Sequence, residues 1–587
     1  MSHDRPLVVR NGLVVDGTGG PARHADVAMR DGVIAEVGPK IDTTGAEVID
    51  VDGLVVTPGF VDVHTHFDGQ ATWDPILAPS SLHGVTSVAM GNCGVGFAPA
   101  KPTPEQHDWL IGMLEGVEDI PGTALAEGLP WDWESFPDYL DALARRQYAV
   151  DIGTHVVHAP LRAYVMGERG ADPNEAPTAD ELRTMADAVR EGVRAGALGF
   201  TTSRTVAHRT RDGAPLGTRY SSEDELTALV GAMAETGTGV VQLISDAYLS
   251  EDETFAMDEM ALMRALVEHS GRPLSMTTQQ VVEVPDRWRQ MVDWVGKGVA
   301  DGLNMRNQVA PRPVGVLQGL TASVNPIALC PSFREIADRP LTEQVAALRD
   351  PERRARIVAE HPVVTGRLEG MGHTIFAGFD KLFPMDEPVN YEPSPSSSVA
   401  ARAAARGVDP VEETIDLLLG DDGNQLLILT LFNFVHGNLD DVREMLLSPY
   451  SVIGLGDAGA HCGAISDASF PTTALALWTT RTAGSGPLPI ELMVNHLTRR
   501  TAQQVGWFDR GVLAPGYLAD VNVIDVDRLG ANRPRIIHDL PAGGRRLMQS
   551  AAGYVHTIKH GTVTFSDGTH TGALPGRLVR GAQPAPA

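Results

Sequence analysis

Between residues 57 and 510, short apolar runs with strand character alternate with longer helical stretches. No other property of the chain restricts its fold as strongly. Strands that alternate with helices are joined by crossovers and lie parallel to one another. Eight runs qualify: VVTPGFVDVHTH, VTSVAMGNC, AVDIGTHVVH, ALGFTTS, TGVVQLIS, PLSMTTQ, LNMRNQV and SVIGLGD. Eight such units predict an α/β fold, a (β/α)8 TIM barrel, with its chemistry at the C-terminal ends of the strands.

The two ends of the chain share a different texture. Residues 7–56 carry short β-rich runs (LVVRNGLVVDG, ADVAMRDGVIAEVG, AEVIDVDGLVV) punctuated by Gly and Asp turns, and the same texture returns over 511–565. Both termini are therefore expected to build one small β-sandwich, with residues 1–56 and 511–587 flanking a barrel over 57–510. The alternation lapses between about 320 and 445, which contains PSFREIADRPLTEQVAALRDPERRARI and YEPSPSSSV. An interruption that long on a barrel reads as an insertion that caps or binds.

The chain has 47 Lys and Arg against 75 Asp and Glu, a net charge of −28. That balance repels phosphate backbones and argues against a nucleic-acid partner. No run approaches the roughly 20 apolar residues of a membrane span, and the N-terminus (MSHDRPLVVRNGLVVDG) reads as a strand rather than an export signal. A cytoplasmic protein with no membrane partner is the expectation. Cys93, Cys330 and Cys462 are an odd number without ribbon or redox spacing, which disfavours a disulfide scaffold.

Three elements carry candidate chemistry. The first run ends in Asp62-Val63-His64-Thr65-His66. Residues two apart share one face of a strand, so both imidazoles can converge on a divalent ion such as zinc. A bare His-x-His also fits two polar residues at a strand end; its place at the lip of a barrel strand favours the metal. The last run leads into Gly456-Asp457-Ala458-Gly459-Ala460-His461. Asp457 there can ligate the ion and relay a proton, or cap the next helix. In Gly91-Asn92-Cys93-Gly94, Cys93 can be a thiolate ligand or a small buried hydrophobe.

Taken in order, PGFVDVHTHFD, GNCGVGFAP, GLGDAGAHCG and LAPGYLADVNVID resemble the amidohydrolase superfamily, and within it the D-aminoacylase (N-acyl-D-amino-acid deacylase) branch. The resemblance runs through nearly the whole chain and implies a barrel with a sandwich from both termini. It places metal ligands at His64, His66 and Cys93 and the catalytic aspartate at Asp457. It also implies histidines at the ends of strands five and six, where this chain has VVQLISD and LSMTTQQ. Gln242 or Thr278 stands nearby instead, and no lysine is present there to serve as a carbamylated bridge. One zinc-like ion per chain is the expectation.

Softer candidates follow other strands. His155 and His158 close the third, and His158 is the one expected to reach the site and steady an oxyanion. Arg204, His208 and Arg312 follow the fourth and seventh strands and are candidates to bind substrate, the arginines by clamping a carboxylate. Trp131 and Trp133 could line the mouth or simply pack a loop. The function expected is hydrolysis of an amide C–N bond in a small molecule, an N-acyl amino acid of possibly D configuration or a peptide-like amide, with Asp457 as general base and acid. A cyclic amidase of the hydantoinase or dihydroorotase type is the alternative enzyme, and a barrel without catalysis, serving as a scaffold, is the alternative class. Family resemblance also implies a homo-oligomer.

Overall fold

The computed structural model describes residues 5–587. The barrel strands are, in order, Phe60–Asp62, Val85–Met90, Asp151–Thr154 with Val156–Val157, Gly199–Arg204, Val240–Ser245, Leu274–Thr277, Met305–Val309 and Ser451–Ile453. All neighbouring pairs are parallel. The third strand breaks at His155, so its halves pair with the second and fourth strands respectively. Closure comes from a parallel bridge between Thr65 and Ala458, where the His66 amide donates to the Ala458 carbonyl at 2.7 Å. Strands such as VVQLIS are buried along their whole length, as expected where helices cover the outside of a parallel barrel.

The helix Ala179–Ala195 shows how local sequence positions these strands. Thr178 and Glu181 form a reciprocal capping box at its start, and Gly196, with φ of 117°, ends it in a left-handed turn. Met185, Val189 and Val193 recur at helical spacing and are buried. Each contributes about 1.5–3 kcal/mol by leaving water. The chain then turns directly into the fourth strand, the Leu198 amide donating to the Thr154 carbonyl at 2.8 Å.

Both termini build one mixed sheet. Val55–Pro58 lies parallel to Leu7–Val14 on one side and antiparallel to Val521–Ile524 on the other. Val9, Val27, Val56, Val521 and Ile558 form its shared core. The C-terminal segment does more than complete this sheet. A hairpin of Arg535–Leu540 and Gly544–Met548 leaves it for the barrel mouth, where the Leu547 amide donates to the Cys462 carbonyl at 2.5 Å. The tail then returns along the third strand, with bridges at Tyr148–Gly576 and Ile152–Leu578.

Between the seventh and eighth strands stands an antiparallel sheet of Val314–Gln318, Leu427–Phe432 and Leu382–Pro384, the second of these in the centre. It packs with helices including Pro351–Thr365 and Pro410–Leu418 around its own core, in which Ile327, Leu348, Ile357 and Ile415 are fully buried. Among the described residues, no helix is long and apolar enough to cross a membrane.

Candidate metal centre

The first and eighth strands deliver the central donors. His64 Nε2 is 3.2 Å from Asp457 Oδ1, and His66 Nε2 is 3.7 Å from the same oxygen. Cys93 Sγ stands 3.3 Å from His64 Nε2. The donor atoms of His64, His66 and Cys93 lie within 4.8 Å of one another, and all three residues are buried. Thus four residues singled out from sequence meet in space.

Cys93 reaches inward because its backbone takes the left-handed conformation, φ 56°, which is uncommon for a residue with a β-carbon. Neighbouring strands hold it there. The Cys93 amide donates to Gln242 Oε1 at 2.8 Å, and the Gly94 amide donates to Thr201 Oγ1 at 3.1 Å. Gln242 therefore stands beside the cluster as the anchor of the Cys93 loop. Thr278 turns to Asn307 Oδ1 at 2.8 Å.

The electrostatics suit a cation. Burial alone would depress His64, yet the adjoining Cys93 and Asp457 raise it to about 9. Burial would raise Asp457, but His64, His66 and His461 pull it well below the usual carboxylate range. Cys93 is likewise lowered against the effect of burial, chiefly by His64. A thiolate and a carboxylate facing two imidazoles form a donor set of the kind that zinc takes. The buried Nδ1 of His66 has no hydrogen-bond partner, although Glu118 Oε1 is 3.4 Å away. The residues present fit a divalent ion.

Glu118 was not anticipated. It ends the helix Pro104–Glu118, is 2% exposed, and lies between His66 and His461, whose Nε2 is 3.6 Å from Glu118 Oε2. The backbone joins them as well, the His461 amide donating to the Glu118 carbonyl. Nothing in the sequence marks a helix end in the second βα connection as part of a site. Gln308 was also missed. Its Oε1 lies 2.6 Å from His64 Nδ1, and a Gln beside Asn307 and Arg306 in the run MRNQV carries no mark of that contact.

Other expected residues lie elsewhere in role. His158 does not present a donor to the site: Nδ1 meets Thr202 Oγ1 at 2.8 Å and Nε2 meets Glu225 Oε1 at 3.0 Å, beside Arg162. His155 is the third-strand histidine with an unpartnered nitrogen, since Nδ1 meets the Met90 carbonyl at 2.9 Å and Nε2 is buried without a partner. Burial holds it neutral, at about 4. Arg204 is not free to clamp a substrate. Glu259 and the Ser221 carbonyl occupy its guanidinium. Arg312 is committed too, pairing with Asp467 at 2.9 Å and lying over the rings of Tyr391 and Phe470. His208 bonds Ser203 Oγ at 2.8 Å and remains partly accessible. Trp131 stacks on His107 and Trp133 packs on Tyr139, so both rings serve the loop.

A narrow cleft beside Asp457 is lined by Gln70, Cys462, Asp467 and Arg546, among others. A wider surface cavity of about 600 Å³, bordered by Trp109 and Arg211, touches none of the donor residues. The other metal-like group, Asp151, Asp520 and His560, already has its cation: Lys559 Nζ lies 2.7 Å from Asp151 and 2.8 Å from Asp520.

A family model described as "Amidohydrolase family" matches residues 47–565. D-aminoacylase from Alcaligenes xylosoxydans xylosoxydans is 36% identical over 196 residues, 33% of this chain and 37% of that enzyme. The matched stretch thus spans little more than a third of that relative. An uncharacterised protein of Mycobacterium tuberculosis is 27% identical over 96% of this chain and 92% of its own. Among solved structures, N-acyl-D-glutamate deacylase from Bordetella bronchiseptica, complexed with zinc and a phosphonate inhibitor, superposes with a TM-score of 0.62 at 22% identity. It covers 98% of this chain and 99% of its own.

Proposed function

The chain belongs to the amidohydrolase family; from that premise we propose that it is a metal-dependent hydrolase of the D-aminoacylase branch that cleaves the amide C–N bond of an N-acyl amino acid or a closely related peptide-like amide. The observation that carries this reading is the cluster of His64, His66 and Cys93, with both imidazoles beside the Asp457 carboxylate and the Cys93 thiol beside His64. These four residues would hold one zinc-like ion.

Such an ion, when bound, supplies a Lewis acid that polarises the scissile carbonyl and makes a neighbouring water more acidic. The protein's part is then proton transfer and placement. Asp457 is ionised at neutral pH because the surrounding histidines hold it well below the usual carboxylate range against the effect of burial. It therefore accepts the proton of the attacking water as that oxygen bonds to the acyl carbon. When the C–N bond breaks, the same carboxyl returns the proton to the leaving nitrogen, so one group serves as base and then acid. Gln242 holds the Cys93 loop in place through both steps.

The substrate assignment draws on the named activities of relatives, N-acyl-D-aspartate and N-acyl-D-glutamate deacylases among them. Since Arg204 and Arg312 are bound to Glu259 and Asp467, His208 remains as the expected substrate contact. A panel of N-acetyl amino acids of both hands, assayed for amine release by zinc-loaded protein, tests the reading. Turnover of the D series that disappears in Asp457→Asn is the expected result. Absence of amine release from every member, with metal bound, would refute it.

A further inference from the structure

A neutral imidazole carries one N–H and one lone pair, and whatever accepts the N–H decides which nitrogen is left to bind a metal. For His64 that acceptor is on the seventh strand. Gln308 Oε1 lies 2.6 Å from His64 Nδ1, and Gln308 Nε2 donates to Ser275 Oγ at 2.8 Å on the sixth strand. All three side chains are buried. Pairing Nε2 with the Ser275 hydroxyl directs the amide oxygen toward His64.

The eighth strand makes room for this arrangement. A β-carbon at position 454 would stand 2.8 Å from Gln308 Oε1 and 3.3 Å from its Cδ. Glycine there lets the amide lie against the imidazole. The acceptor is also uncharged, and the site already contains Cys93, Asp457 and Glu118. A further carboxylate would add a like charge in a place with little water to screen it.

We propose that Gln308 is a positioning residue for the metal centre: its carbonyl takes the Nδ1 proton of His64, so that the Nε2 lone pair faces Cys93 and Asp457, while Ser275 fixes the direction of the amide. The proposal rests on the metal-site reading given above. It assigns a role to two strands that contribute no histidine, cysteine or carboxylate to the cluster.

The test is a cobalt(II) titration of the full chain against a competing chelator, followed by the visible absorption of the bound ion. Wild type is compared with Gln308→Met, which keeps the bulk and removes the acceptor, with Gln308→Glu, which restores an acceptor, and with Ser275→Ala. Loss of an outer partner of this kind weakens metal binding about 10–100-fold. That loss is expected for Gln308→Met, with an altered cobalt spectrum, and Gln308→Glu, an acceptor burdened by the added like charge, is expected to recover part of it. Ser275→Ala is expected to weaken binding by less than Gln308→Met does, and it carries the test by itself if Gln308→Met fails to fold. Cobalt bound as tightly, and with the same spectrum, in Gln308→Met or in Ser275→Ala as in wild type overturns the assignment alone. A wild type that binds no cobalt overturns the metal-site reading and this proposal with it.

Discussion

Asp457 Oδ1 lies 3.2 Å from His64 Nε2, and the same two residues are tied through the backbone, the Asp457 amide donating to the His64 carbonyl at 3.0 Å. One residue extends the first barrel strand and the other follows the last. Closing the barrel and assembling the site are therefore the same event. A change that loosens the seam between these strands will reach the chemistry as well as the fold.

Asp457→Asn separates proton transfer from the rest of the site. The amide keeps the shape and loses the basic oxygen. General acid–base groups contribute roughly 10²–10⁴-fold, so kcat on the best N-acyl substrate is expected to fall at least a hundredfold. The variant should retain the fold, checked by circular dichroism.

Glu118→Gln tests the carboxylate beside His66, 3.4 Å from its Nδ1. Its buried Oε1 has no hydrogen-bond partner, so its contribution to the site is electrostatic. Replacing it is expected to lower zinc affinity about tenfold, measured by chelator competition. Unchanged affinity would reduce Glu118 to a support for the His461 loop.

Arg312→Met distinguishes a structural arginine from a substrate clamp. The guanidinium and Asp467 are both almost fully buried, at 1% and 2% side-chain exposure. Removing one partner of such a pair typically costs about 3–5 kcal/mol, because the other charge stays buried. The thermal midpoint should drop clearly, while the KM of enzyme that remains folded should stay within about threefold. A large KM change at an unaltered midpoint would restore the clamp.

Asp151 gives the fold an acid limit. Burial would raise its pKa, but Lys559, His560 and Arg510 hold it well below the usual carboxylate range. A carboxylate with a depressed native pKa stabilises the fold at pH above its unfolded value of about 4, and that stability is lost as pH falls through the native value. Wild type should lose thermal midpoint steeply below about pH 4. Asp151→Asn should start lower at neutral pH and show a shallower acid dependence.

Much of the barrel was legible because its strands are short apolar runs between helices, and period-two spacing put His64 and His66 on one face. Asp457 and Cys93 were legible from motif order. The failures have local causes. In the sequence His158 reads as a strand residue, but it opens the helix His158–Met166 and turns toward Glu225. Arg204 ends its strand on the face opposite Thr201 and Ser203; those two meet the Cys93 loop and His208, and Arg204 meets Glu259 on the helix layer. Glu118 and Gln308 were invisible for a common reason. Each acts on a histidine far away in sequence, through a contact that no local spacing encodes.

The measurement closest to the central claim is metal content per chain by elemental analysis, in wild type, His64→Ala and Asp457→Ala. About one zinc-like ion in wild type, lost in His64→Ala and weakened in Asp457→Ala, is the predicted result. Protein that retains no ion after growth and refolding with zinc, or an ion that survives in His64→Ala, would contradict it.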